Sequence, residues 1–230
     1  LAGASACGLS IVATPILDGT IIGDTVTGER QLANAQGGGT TPQTSLAQLP
    51  AGASLTITSG NSFLLETSAQ AGSDPYNLST YVFGSAWTAP GTVALLTDQL
   101  SNSGFGSIIV KGSGDAGYPT VNMAQGSVLT VAPGGSVNLS GVETINGTIN
   151  APSGKIILSG FTYDSSNFSG IPNLPPVTIG SAGALNVAGL WVNDMFAVGG
   201  DVQSRAFING GSVSISTTAA AYQVASGGTD

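Results

Sequence analysis

The sequence predicts an all-β fold: a parallel β-helix, with an irregular aromatic-rich insertion. Three observations carry that reading. A glycine or small polar residue followed by apolar-polar-apolar residues keeps returning along the chain. Copies centred on Val137, Ile156 and Val177 lie 19 and 21 residues apart. Helical periodicity never persists beyond about two turns. Very short strands at roughly 20-residue intervals are what a solenoid of stacked coils requires. A β-sandwich is the alternative, since its short strands are commonly joined by Asn-Gly or Asp-Gly turns. Asn146-Gly147 and Asp18-Gly19 are such dipeptides.

Taken in order, residues 1–50 hold strand-like segments at 10–14 and 16–22 and then a polar Gly/Thr/Gln loop at 31–48. Residues 51–125 open with Ala53-Ser54-Leu55-Thr56-Ile57, an alternating strand launched by Pro50-Ala51-Gly52. Proline has no amide donor and glycine tolerates positive φ, so such tripeptides mark corners. This region also carries Phe63, Tyr76, Tyr81, Phe83, Trp87, Phe105 and Tyr118, and the repeat is weak there. It is therefore read as coils bearing the insertion, with residues 92–101 (TVALLTDQLS) as one short helix. Residues 126–230 are read as regular coils. Their strands are Ser127-Val128-Leu129-Thr130-Val131, Gly135-Ser136-Val137-Asn138-Leu139, Thr144-Ile145-Asn146-Gly147-Thr148-Ile149 and Gly154-Lys155-Ile156-Ile157-Leu158. Gly183-Ala184-Leu185-Asn186-Val187 and Gly211-Ser212-Val213-Ser214-Ile215 complete the set. Residues 217–224 fit a loop or a strand. Inward positions are apolar and outward positions are Thr, Ser and Asn. Val137, Leu139, Ile156, Leu158, Val177, Ile179, Leu185, Val187, Val213 and Ile215 are thus expected in one core.

Composition excludes several functions. Of 230 residues only 7% are charged, against roughly a quarter in ordinary domains. The outer surface must therefore be built from hydroxyls, amides and glycine, with 28 Ser, 23 Thr and 35 Gly. The chain has no histidine, hence no imidazole base and no Ser-His-Asp triad. The single Cys7 cannot close an internal disulfide and is read as a small packed thiol. The net charge is −8, and Arg30, Lys111, Lys155 and Arg205 are scattered, so nucleic acid is not an expected partner. No apolar run approaches the roughly 20 residues of a spanning helix, and membrane insertion is not expected.

Candidate sites are few. Trp191 beside Asn193 and Asp194 could stack on a sugar ring, although a packed tryptophan with turn-forming neighbours accounts for the same residues. Tyr76, Tyr81 and Trp87 form a second candidate contact surface. Glu66, Asp74 and Asp98 are the carboxylates that a glycoside-cleaving β-helix would have to converge on one groove. Asp18, Asp24, Glu29, Asp115, Asp194 and Asp201 read as solvated turn carboxylates. No catalytic residue, metal site or cofactor is expected. The sequons at Asn77, Asn138, Asn146 and Asn167 are attributed to composition.

Three phrases bring a family into view: Ser103-Gly104-Phe105-Gly106-Ser107-Ile108-Ile109-Val110, Leu185-Asn186-Val187-Ala188-Gly189-Leu190-Trp191-Val192-Asn193-Asp194, and Ile208-Asn209-Gly210-Gly211-Ser212-Val213-Ser214-Ile215. In these the chain resembles the filamentous-haemagglutinin-like outer-membrane exoproteins of two-partner secretion, over about residues 100–215. The resemblance implies a right-handed β-helix, export through an outer-membrane secretion partner, and a bacterial cell-surface or secreted location. It implies adhesion, aggregation or filament formation, and no catalytic residues. The function expected is therefore a structural or adhesive segment that self-associates end to end or adjoins neighbouring modules of a longer chain. A carbohydrate or cell-surface receptor is a possible ligand. The alternative is a carbohydrate-binding or carbohydrate-cleaving β-helix.

Overall fold

The computed structural model describes residues 7–25, 52–82, 90–112, 120–162, 177–189 and 209–219. Fourteen strands are formed there: β1 (Leu9–Val12), β2 (Ser54–Ser59), β3 (Ser62–Glu66), β4 (Thr92–Leu96), β5 (Ser107–Gly112), β6 (Val121–Met123), β7 (Val128–Thr130), β8 (Ser136–Ser140), β9 (Val142–Ile145), β10 (Thr148–Asn150), β11 (Lys155–Thr162), β12 (Thr178–Ile179), β13 (Ala184–Asn186) and β14 (Ser212–Ala219). Two short helices, α1 (Ser68–Ala71) and α2 (Thr97–Ser101), and a 3-10 turn at Leu78–Thr80 lie among them.

The strands sort into three sheets. The first has the order β1-β2-β5-β8-β11-β14, the second β12-β9-β6-β3-β4, and the third β13-β10-β7. Every described pairing is parallel. From β5 onward the chain visits the first, second and third sheets in strict rotation, three times, and ends in the first. The chain is thus all-β with parallel sheets, and the antiparallel pairing of a sandwich is not what these strands form.

Register explains the recurring phrase. Leu9, Leu55, Ile108, Val137, Ile156 and Val213 occupy one column of the first sheet, and Ile11, Ile57, Val110, Leu139, Leu158 and Ile215 another. In β2, β5, β8 and β11 both columns are fully buried. Leu129 and Ile149 of the third sheet and Phe63, Leu65, Val121, Met123 and Ile145 of the second meet them in one hydrophobic cluster. Each such side chain contributes about 1.5–3 kcal/mol by leaving water. Outward residues form polar rows: Ser107 and Ser136 share a hydroxyl contact of 2.9 Å. Asn150 Nδ2 donates to Thr130 Oγ1 at 3.3 Å, and Asn186 Nδ2 to Asn150 Oδ1 at 3.2 Å.

Glycine marks the corner ahead of the first sheet. A Cβ on Gly135 would stand 2.4 Å from the Gly106 carbonyl oxygen, one on Gly154 2.0 Å from that of Gly135, and one on Gly211 1.9 Å from that of Gly154. The backbones touch at this edge, so only a residue without Cβ fits.

Several expectations are corrected. The 21-residue step from Ile156 to Val177 is not a register: Thr178 and Ile179 pair with Thr144 and Ile145, while Ile156 pairs with Val137 and Val213. Leu185 likewise pairs with Ile149 in the third sheet. The repeated phrases thus belong to three faces rather than one. Residues 92–101 are half strand and half helix, because Val93 and Leu95 align with the buried Phe63 and Leu65. Residues 13–25 form no ladder strand, and of the segment at 16–22 only Leu17 is buried. The insertion is a detour: from β3 the chain passes through α1 and returns as β4 on the far side of β3. Ile179, Val213 and Ile215 are 37%, 40% and 49% exposed, and Val177, Leu185 and Val187 are only partly buried. The reason is position, since β12, β13 and β14 are the outermost strands of their sheets. Cys7, beside the outermost β1, is exposed rather than packed. The loop at 31–48 and residues 220–224 lie outside the described residues.

Candidate functional site

The described part of the aromatic-rich region is built around the ends of β3 and β4. Thr67 follows β3 and caps α1: its Oγ1 accepts from Gln70 N at 3.3 Å, and its N–H donates to Gln70 Oε1 at 2.9 Å. This reciprocal pair satisfies two amides that a helix start leaves unpaired. Asp98, in the first turn of α2, then ties the helices together. Its carboxylate accepts from Ser68 N at 3.0 Å and from Ser68 Oγ at 2.6 Å. Gln70 Nε2 donates to Gln125 O at 2.7 Å, and Gln99 Nε2 donates to Gly19 O. Ser101 occupies the free edge of the third sheet: its Oγ donates to Val128 O at 3.2 Å and accepts from Thr130 N at 2.9 Å. A helix thus covers an edge that β7 would otherwise leave open.

Glu66 and Asp98 reach the same end of the second sheet, since Glu66 pairs with Leu96 two residues before Asp98. Their chemistry differs. Burial raises the Glu66 carboxyl above its ordinary value. At Asp98 burial pushes upward, but the Ser68 hydroxyl and the amides of Ser68, Asp98 and Gln99 outweigh it, and the carboxyl is held low. Asp74 is also held low, chiefly by the Ser79 hydroxyl, against an upward push from burial and with help from the Ser79 and Leu78 amides. Its two oxygens accept from Leu78 N at 2.6 Å and from Ser79 N at 3.0 Å, as well as from the Ser79 hydroxyl. Asp74 is therefore already engaged in shaping its own loop, and Asp98 in joining α2 to α1.

The aromatic candidates separate. Tyr76 is buried, its hydroxyl donating to Leu17 O at 3.3 Å, and burial raises its phenol. As a ligand-contact residue it is corrected to a core residue. The cause is its ring, which joins the hydrophobic cluster while its hydroxyl finds a carbonyl. Phe63 and Phe105 are core as well. Tyr81 is 43% exposed, beside an exposed Val82. Trp87, Trp191, Asn193 and Asp194 lie outside the described residues. Among the described residues no group of three or more Cys, Asp or Glu is placed to hold a metal ion, and no helix is long and apolar enough to cross a membrane.

Sequence reasoning did not single out Ser68, Gln70 and Ser101, which tie one circuit of the chain to the next. Nothing in the local sequence marks Ser101. The Thr67-to-Gln70 spacing is a readable capping-box signature. No protein-family profile, curated protein or solved structure matches this chain.

The Ser68–Asp98 clamp makes a prediction about acid. A carboxyl whose folded value is lowered stabilises the fold above its unfolded value, and that contribution disappears as pH falls through the folded one. Asp98→Asn should therefore lower the melting temperature at neutral pH. The gap to wild type should shrink as pH drops below the ordinary aspartate range. Thermal melts from pH 7 to pH 3 check it; a gap independent of pH would mean that the clamp is not ionic.

Proposed function

We propose that this chain is a right-handed parallel β-helix serving as a structural or adhesive segment of a secreted bacterial surface filament or large adhesin. The observation that carries the reading is the rotation of the chain through three parallel sheets around one core. In such an arrangement each circuit rests only on its neighbours, so stability sums along an axis and a stiff rod results. Three further features support a mechanical role. The outward rows are largely Ser, Thr and Asn, several of which bond along the stack. Charged residues are few, 7% of the chain, and none lies on β1 or β14, the outer strands of the first sheet. Asp74 and Asp98, two of the three carboxylates considered for a glycosidase pair, already accept hydrogen bonds from Leu78 and Ser79 and from Ser68 respectively. The resemblance to filamentous-haemagglutinin-like exoproteins supports a surface location and an outer-membrane secretion partner.

Electron microscopy of the purified chain tests the reading. Filaments or elongated end-to-end oligomers are expected at high protein concentration. Discrete single particles at every concentration would remove the self-assembling reading.

A further inference from the structure

We propose that successive copies join head to tail through one strand pair: β14 of one copy receives β1 of the next, in parallel, with Leu9 beside Val213 and Ile11 beside Ile215. The inference rests on the shaft reading above and adds the junction, its direction and its register.

Direction follows from topology. β1 and β14 are the two outer strands of the first sheet, and all six of its strands run the same way. Translating a copy along the sheet brings its β1 against β14 with the parallel sense retained. Pairing β14 with β14, or β1 with β1, would turn the ladder antiparallel.

Register follows from the columns. Leu9 and Val213 end the same inward column, and Ile11 and Ile215 end the other. Slipping by one residue would point the apolar pairs outward, so only even registers keep the core continuous. Among these, one alone gives β1 the same series of neighbours on both of its sides. Within the chain β1 lies on Ser54-Leu55-Thr56-Ile57, with Gly8 so close to Ser54 that an added Cβ would stand 2.5 Å from its hydroxyl oxygen. β14 offers Ser212-Val213-Ser214-Ile215, nearly the same series. In the proposed register Gly8 falls beside Ser212, and the neighbours that β1 has on its paired side are repeated on its free side.

Among the described residues neither outer strand has a further ladder partner. Neither β1 nor β14 contains a charged residue or proline, the usual devices that keep edge strands apart. Leu9, Val213 and Ile215 remain 40%, 40% and 49% exposed. A second copy is therefore the occupant that these edges fit: it supplies amide partners and covers both apolar columns without bringing a charge to the joint. The contact is heterologous and does not close on itself, so it propagates.

The test uses the full chain with Cys7→Ser, so that no native thiol interferes. Ser10 and Ser214 are both exposed and outward, and the junction sets them side by side within the Cα separation a disulfide allows, roughly 4.4–6.8 Å. Mixing Ser10→Cys with Ser214→Cys under mild oxidation should give a covalent heterodimer as the main product. Mixing Ser10→Cys with Ser212→Cys or with Ser216→Cys should give at least tenfold less. In a second arm, Ile215→Lys in the wild-type chain should abolish oligomers in sedimentation velocity while the melting temperature holds. Oligomers that persist in Ile215→Lys, or that crosslink equally through Ser212 and Ser216, would overturn the junction and leave the shaft reading in place. A wild-type chain that is monomeric at high concentration would overturn the junction and, with it, the self-assembling form of the shaft reading.

Discussion

Val137→Asp or Ile156→Asp is expected to leave the chain largely unfolded at 37 °C. Both side chains are fully buried in the same column, between Ile108 on one side and Val213 on the other. An aspartate there would be a charge buried among apolar side chains. Breaking a buried ion pair to leave one lone charge already costs about 3–5 kcal/mol, and domains of this size have only about 5–15 kcal/mol in total. Asn138→Asp is the control. Asn138 points outward between Ile109 and Ile157, and the change should stay within about 0.5 kcal/mol. Urea denaturation of the three variants measures the contrast. Similar losses at residues 137 and 138 would mean that the column is not the core.

The second large effect is expected at the glycine corner. Gly154→Ala places a methyl 2.0 Å from the Gly135 carbonyl oxygen, a backbone atom that cannot swing aside. The strands must part or shift register, and a loss of about 3 kcal/mol is expected. Gly91→Ala meets nothing within 4 Å, so it should be neutral or stabilise by about 0.5 kcal/mol through the unfolded state. Chemical denaturation with and without each change checks the pair. Equal effects at Gly91 and Gly154 would show that the close approach is not what selects glycine.

These contrasts also show what was legible in the sequence. Alternation at Leu55, Val137 and Ile156 is a two-residue period that survives any insertion between strands, so the strands and their inward faces could be read directly. The glycine ahead of them was visible as a motif, and the backbone contact it permits became visible only in space. Assigning strands to faces was not legible, because circuit length varies. Val137 to Ile156 is a single circuit of 19 residues, whereas Ile156 reaches its next partner, Val213, only 57 residues on. A 21-residue interval to Val177 therefore imitated a repeat while belonging to another sheet. The return of β4 to the far side of β3 leaves no periodic trace at all. At residues 92–96 the tertiary neighbours Phe63 and Leu65 overrode the helical composition of Val-Ala-Leu-Leu. The candidate site was legible only as a list of aromatic and acidic residues. Whether Tyr76 faces water or Leu17 depends on contacts 59 residues apart in the chain.

In the first sheet the strands follow one another in chain order, side by side and in parallel. Ser107 and Ser136 sit side by side on adjacent strands of the first sheet, their hydroxyls 2.9 Å apart. With Cys7→Ser as background, the pair Ser107→Cys and Ser136→Cys measures that stacking directly by disulfide closure in the native chain. The account predicts rapid, nearly complete intramolecular closure and a raised melting temperature, since the bond closes a long loop in the unfolded state. Two thiols that stay free until the chain is denatured would contradict it.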